Sequence, residues 1–422
     1  MSQKLRGLMV RAMLAGTALA GLQGLAHVAS ADTTINALFM SQAAYSEDDV
    51  RAMTKDFEAA NPGITVKAEF VPYEGLHDKI TLAQGAGSGY DVVLFDVIWP
   101  AEFAEHKVLA DVTDKITPDM KKGVLPGAWT TVDYKDHAYG MPWILDTKYL
   151  FYNTEMLKKA GIAHPPKTWA ELEKDAEIIK QKKIVEFPIV WSWTQAEAVI
   201  CDYTTLVAAY DGKFLDDSGK PAFQNGGGVD ALNYMVETMD KGLSNPHSKE
   251  YAEEDVRRVF SSGEAAFALN WTYMYAMANG DPKESKIVGK VGVEPAPGVD
   301  GKSKASAVNG SMGLGIPSTS KHQDEAWKYI TYMTSQAVQN KYAKLSLPIW
   351  GSSYSDPAVT KGQEELVKAA KTSIGIMYPR PTTPTYTQLS TQLQQAIHNA
   401  LLKQAKPEDA LKSAADAANG GL

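Results

Sequence analysis

The order of apolar and polar positions alternates between strand and helix periods along most of the chain. Thr34 to Met40 is an apolar, β-prone run and predicts a strand. Glu47 to Ala59 places Val50, Met53 and Phe57 at helical spacing, with acidic residues in the first turn where they suit the helix dipole. Asn61-Pro62-Gly63 is a turn, and Ile64, Val66, Ala68 and Phe70 then alternate as a half-buried strand does. A helix is expected from about Tyr73 to Gln84, ending in glycines. Asp91 to Val97 is nearly all apolar, as a strand covered on both faces is. This β-α-β-α-β succession predicts a doubly wound α/β lobe.

The alternation resumes after residue 140. Strands are expected at Lys148–Asn153, Glu186–Val190 and Ala265–Asn270. Helices are expected at Glu171–Lys183, behind a Thr168/Glu171 capping box, and at Gly226–Lys241 and Glu253–Ser261. Three more are expected at Ser320–Thr334, capped by Ser320, at Tyr386–Lys403, and at Pro407–Ala418 with proline at its start. Three stretches read as crossings between lobes, because glycine and proline interrupt the periodic elements there: Tyr139 to Trp143, Ala296 to Ser306, and Leu347 to Gly351.

Composition narrows the class. The 422 residues are 44% hydrophobic and 22% charged, the make-up of a folded chain of two or three domains. The net charge of −8, with no basic block, argues against a nucleic-acid partner, whose phosphates select stripes of Lys and Arg. The single cysteine, Cys201, leaves no intramolecular disulfide and no CxxC metal or redox pair. Lys4, Arg6 and Arg11 followed by the small apolar run Ala12–Leu22 and by Ala29-Ser30-Ala31 have the form of a secretory signal peptide cut after Ala31. The apolar run is too short for a bilayer, which needs about 20 residues. No cysteine stands near the cut to take a lipid, and the expected location is the periplasm. Removing residues 1–31 takes away three basic residues and no acidic one, so the mature chain of 391 residues carries −11.

The usual catalytic signatures are missing. There is no GxxxxGK[ST]. Gly85-Ala-Gly-Ser-Gly-Tyr90 lacks the last glycine of a dinucleotide fingerprint, and it precedes a strand instead of following one. It is not a GxSxG nucleophile elbow either. The eight histidines show no HExxH and no paired metal spacing, so no metal and no organic cofactor is expected. Carboxylates are abundant, which keeps an exported glycoside hydrolase open as a reading.

Aromatic and acidic residues just beyond the expected strand ends remain. Tyr45 and Glu47 follow the first strand; Asp96 and Trp99 close the third; Asp146 follows the first crossing, near Trp143. Trp191 and Trp193 follow the strand ending at Val190; Trp271, Tyr273 and Tyr275 follow the one ending at Asn270; Gly310 and Ser311 follow the second crossing. Arg380 stands in Tyr378-Pro379-Arg380-Pro381. Ligands of doubly wound sheets bind beyond the carboxyl ends of strands. A pyranose ring presents an apolar face that stacks on an indole or phenol, and hydroxyls that carboxylates accept from and guanidinium donates to. Trp129, Trp169 and Trp327 sit in helical or loop settings and read as packing. Trp271, Tyr273 and Tyr275 alternate as on a strand end, with one side for core and the other for ligand.

Several longer stretches resemble the extracellular solute-binding proteins of carbohydrate-uptake ABC transporters, the maltose/trehalose-binding-protein-like group. They include Phe57-Glu-Ala-Ala-Asn-Pro-Gly-Ile-Thr-Val, Gly89-Tyr-Asp-Val-Val-Leu-Phe-Asp, Tyr139-Gly-Met-Pro-Trp, Phe151-Tyr-Asn-Thr-Glu-Met-Leu-Lys-Lys-Ala-Gly-Ile, Phe260-Ser-Ser-Gly-Glu-Ala-Ala-Phe and Asn309-Gly-Ser-Met-Gly-Leu-Gly-Ile-Pro. The resemblance implies two doubly wound α/β lobes joined by crossing hinge segments, as in type II periplasmic binding proteins, with sugar held between them. The lobes would be residues 32–141 plus 306–350 and 142–305 plus 351–422. It implies delivery to membrane permease subunits by hinge closure, a monomer, and no catalysis. Carried over by position, the ligand contacts fall on Glu47, Asp96, Asp146, Trp271, Tyr273, Gly310 and Arg380. The chain departs from the pattern at Ser311, where those relatives often have tryptophan, and at Asp146-Thr147-Lys148, where smaller residues follow the aspartate. Lys148 and Arg380 therefore open a second reading, an anionic sugar, a polyol or a glycerol phosphodiester on the same fold; a solvent-facing strand lysine is the plainer account of Lys148.

Overall fold

The computed structural model describes residues 33–41, 44–87, 89–280 and 282–419. Residues 1–31, expected from sequence to be a signal peptide, lie outside them. The strands are β1 (Thr33–Met40), β2 (Ile64–Val71), β3 (Val92–Asp96), β4 (Asp133–Tyr134), β5 (His137–Ala138), β6 (Met141–Ile144), β7 (Tyr149–Asn153), β8 (Ile189–Val190), β9 (Phe267–Asn270), β10 (Val291–Val299), β11 (Ser303–Ser306) and β12 (Met312–Gly315).

Two five-stranded mixed sheets organise the molecule. The first runs β2-β1-β3-β12-β6; β1 is parallel to β2 and β3, and β12 is antiparallel to β3 and β6. The second runs β11-β10-β7-β9-β8, antiparallel except for the β8–β9 pair. β4 and β5 form a small separate hairpin. Every residue of β3 is buried, as its unbroken apolar run predicts.

Side chains of the second sheet alternate between two cores. Leu150, Phe267 and Leu269 join one, with Trp169, Trp191, Trp193 and the C-terminal helices Tyr386–Leu401 and Pro407–Asn419. Tyr149, Phe151 and Ala268 join the other, with Phe260, Leu366 and Val367. A third core surrounds the first sheet.

Local chemistry sets most element boundaries. Ser46 and Asp49 cap helix Glu47–Ala60 reciprocally, and Thr168 Oγ1 accepts from the Glu171 amide at the start of helix Trp169–Gln181. The Glu171 carboxylate reaches the Lys167 amide and not that of the cap residue.

Several expectations are corrected. The Ala296–Ser306 stretch is no crossing: it is the β10–β11 hairpin, closed by Val299 opposite Ser303. The chain passes between the sheets at 145–148 and at 307–311, between β6 and β7 and between β11 and β12. The helix expected from Ser320 begins at Gln323. Ser320 Oγ donates to Asp91 and accepts from the His322 amide, so it orders the preceding turn. The strand expected over Glu186–Val190 is only Ile189–Val190, because Pro188 has no amide to pair and contributes its carbonyl alone, to Ala266 and Phe267. Tyr273 and Tyr275 lie on a helix, Tyr273–Gly280, so they do not alternate as on a strand.

Candidate functional site

Strands β1, β2 and β3 are parallel and end on the same side of the first sheet. The residues that follow them, together with those following β8 and β9 and those of both crossing segments, enclose a cavity of about 180 Å³ that opens to solvent. Met40, Ser41 and Ala44 come from the end of β1, Pro72, Tyr73 and Glu74 from the end of β2, and Asp96 from the end of β3. Thr194, Glu197, Trp271 and Tyr273 come from beyond β8 and β9.

The crossings hold the floor together. The Gly310 amide donates to the Asp146 carbonyl at 3.0 Å, and the Asp146 amide donates to Ser311 Oγ at 3.3 Å. Residues 307 and 309 bond on either side of Tyr378, which draws the Tyr378-Pro-Arg-Pro segment alongside. Arg380 is thereby buried at the cavity. Its Nη2 donates to Asp96 Oδ1 at 2.9 Å and to the Asn309 carbonyl at 3.2 Å, and its Nη1 to Glu197 Oε1 at 2.7 Å. Burial opposes its charge, but Asp96 above all holds it firmly cationic. Its Nε is buried without a protein partner.

Asp146 has no cation beside it. Its Oδ1 accepts from Thr272 Oγ1 at 2.6 Å and from the amides of Thr147 and Thr272 at 2.8 and 3.3 Å. Burial still dominates and pushes its carboxyl up to about 7. Burial likewise raises Glu197, against the pull of Arg380, and raises the Cys201 thiol. Six carboxylates, those of Glu74, Asp96, Asp146, Glu197, Glu253 and Glu254, line the cavity, and Arg380 is the cation among its lining residues. Such a wall accepts hydrogen bonds far more readily than it donates them.

Aromatic faces complete the lining. Tyr73 donates its hydroxyl to Asp96 Oδ2 at 2.9 Å and lies nearly parallel to Trp99, with ring centres 5.8 Å apart. Trp271 is half-buried, and its Nε1 donates to Glu253 Oε1 at 3.2 Å. A Cβ on Gly310 would meet the Trp271 ring at 2.3 Å, so only glycine fits at that place beside the indole.

Of the residues expected from sequence, Asp96, Asp146, Trp271, Tyr273, Gly310 and Arg380 come together at this cavity. The others do not line it. Tyr45 is buried and stacks on Trp143 at 4.9 Å, and Trp99 is buried behind Tyr73. Glu47 stands half-buried at the first turn of its helix, paired with Arg51 at 3.6 Å. Trp191 and Trp193 stack on each other at 5.0 Å inside the core, and Ser311 is buried beneath Asp146. Lys148 is neither solvent-facing nor open to an anion: it is fully buried among Ser192, Asp202 and Glu253.

Sequence reasoning missed Tyr73, Glu197 and Glu253. Tyr73 was within reach, since it follows a strand end as Asp96 does. Glu197 heads helix Glu197–Ala209, which is buried almost all round and so shows no amphipathic period to announce it. Among the described residues no group of three or more His, Cys, Asp or Glu is placed to hold a metal, and no helix is long and apolar enough to cross a membrane.

The family model for bacterial extracellular solute-binding proteins matches residues 43–340. The chain belongs to this family. A probable ABC transporter-binding protein of Deinococcus radiodurans is 30% identical over 377 residues, covering 85% of this chain and 87% of that one. Maltose-bound MalE3 of T. maritima superposes with a TM-score of 0.86 at 31% identity, covering 92% of this chain and all of the other. A solute-binding protein of Thermotoga lettingae bound with α-D-tagatose gives 0.83 at 29%, covering 92% and 99%. The two-sheet architecture is therefore the maltose-binding-protein-like type II fold, and the chain is a solute-binding protein of the ABC-transporter class. The members of this family are binding proteins.

Proposed function

We propose that this solute-binding protein captures an uncharged sugar or sugar derivative in the cavity and presents it to membrane permease subunits by closing one lobe on the other. The observation that carries the reading is the pairing of aromatic faces, Tyr73, Trp271 and Tyr273, with a ring of hydrogen-bond-accepting carboxylates in one cavity. A pyranose supplies the complement: an apolar face for the rings and hydroxyl donors for the acids. The maltose and tagatose held by its relatives belong to that class.

The anionic alternative loses its main support. Lys148 and Arg380, the two cations that suggested it, are each engaged by two carboxylates. The other three lining acids, Glu74, Asp146 and Glu254, add no positive charge that would draw an anion in.

The ligand contacts in this reading are Asp96, Asp146, Trp271, Tyr273, Gly310 and Arg380, with Tyr73 and Glu197 added. In this reading the lobes divide within the crossing segments 145–148 and 307–311 and again after 350, so that β6 stays with the first sheet and β11 with the second. Export follows cleavage after Ala31, and the protein acts as a monomer without turnover. Ligand shifts the population toward the closed form. Calorimetric titration with maltose, tagatose and matched phosphorylated sugars tests the reading. Binding of a neutral sugar with weaker or no binding of its phosphate is expected; tight binding of anions alone, or sustained cleavage of a glycoside, overturns it.

A further inference from the structure

Lys148 lies in the crossing segment behind the cavity wall, and its surroundings assign it a use. The side chain is fully buried. The ammonium donates to Ser192 Oγ at 2.7 Å and Asp202 Oδ1 at 2.6 Å, and lies 3.2 Å from Glu253 Oε1. That same Glu253 oxygen accepts the Trp271 indole N–H. Lys148 Nζ also stands over the Trp271 ring, 5.0 Å from its centre. Asp202 is held in turn by the Ser192 amide and hydroxyl.

Two consequences follow for Trp271. Its one hydrogen-bond donor is used within the wall, so it has none for a ligand. One face of its ring is taken by the ammonium, so stacking is left to the other face. The far edge is confined by Gly310.

We propose that Lys148 is a positioning residue for the ligand cavity: through Glu253 it fixes the Trp271 indole in one orientation before ligand arrives, making that ring a preset apolar platform. A freely rotating indole would have to be ordered on binding, and that ordering would weaken affinity. The inference rests on the sugar reading for its purpose, but its geometry is independent of any ligand.

The test is made on ligand-free protein by NMR of the nine tryptophan indole N–H groups. The Trp271 signal is identified by its absence in Trp271→Phe. Removing Lys148 alone would strand the fully buried Asp202 carboxylate, so the informative variant is Lys148→Met with Asp202→Asn, which removes both charges of the buried pair together. In that variant the Trp271 signal shifts and its N–H exchanges with solvent about tenfold faster, the loss expected when one net hydrogen bond is released. Asp202→Asn alone keeps Lys148 on Glu253 and leaves the signal in place. An unchanged Trp271 signal in the double variant overturns the proposal, as does an equal shift in Asp202→Asn, which would mean a general disturbance of the core. A calorimetric titration of maltose into the same proteins then reads the affinity. If the unmodified protein binds no sugar while the indole result holds, the sugar reading fails and the positioning role of Lys148 stands.

Discussion

Arg380 Nη2 lies 2.9 Å from Asp96 Oδ1, although 284 positions separate the two residues in the chain. Asp96 ends β3 of the first sheet, and the other arm of the guanidinium reaches Glu197, on a helix packed with the second. One side chain thus ties both halves of the molecule at the cavity floor. Arg380→Met leaves two buried acids facing each other without a cation, and a loss of about 3–5 kcal/mol in urea unfolding is expected. Arg380→Lys recovers only part of it, since Asp96 and Glu197 are reached by separate Nη arms of one planar guanidinium, and a compact ammonium lacks that fixed fork. Equal stability of Arg380→Met and the unmodified protein would refute this account.

Asp146 makes stability depend on pH in an unusual direction for an acid. Its carboxyl is raised by burial to about 7, above the ordinary value near 4. The protonated form is thus the one the fold favours; the stability it contributes is fully present at acid pH and is lost as pH rises through 7. Asp146→Asn keeps the acceptor for Thr272 and carries no charge. Melting curves should show the variant gaining on the unmodified protein between pH 5 and pH 8. A difference that does not change with pH would show that Asp146 ionises freely.

Trp271→Ala should weaken binding of a neutral sugar by about tenfold or more while leaving the melting temperature within a few degrees, because the indole is only half-buried. Titration calorimetry decides this. Undiminished affinity removes the stacking role.

Gly310→Ala tests the same ring from its other side. The added methyl would stand 2.3 Å from the indole carbons, so the ring must move. Reduced sugar affinity with a displaced Trp271 indole signal is the expected outcome, and wild-type affinity would mean the ring's place does not matter.

Trp191 gives the contrasting case. It is buried, stacked on Trp193, and its Nε1 donates to Ser244 Oγ at 2.8 Å. Trp191→Ala should cost about 3–5 kcal/mol of stability through the void it leaves. Trp191→Phe should retain sugar affinity unchanged, measured by the same titration; a large loss of affinity there would place it in the binding surface after all.

Much of this protein was legible from the order of its residues. Periodicity is a local property, and it located most of the longer helices and three of the five strands of the first sheet, β1, β2 and β3, because each must turn one apolar side inward wherever it packs. The rule that ligands gather beyond strand ends led to Asp96, Asp146 and Trp271, since strand ends can be read from the chain. It led equally to Trp191 and Trp193, which also follow a strand but turn into the core. Nothing local distinguishes an indole facing a cavity from one facing a helix. The pairing partners of Lys148 and Arg380 were decided only by the tertiary structure. A cation's role depends on what neutralises it, and here Asp202, Glu253, Asp96 and Glu197 arrive from distant segments. By itself the sequence determined an alternating α/β chain with an aromatic and acidic surplus. The three-dimensional fold decided which of those residues share a cavity, because burial and charge balance are set by neighbours in space and not along the chain.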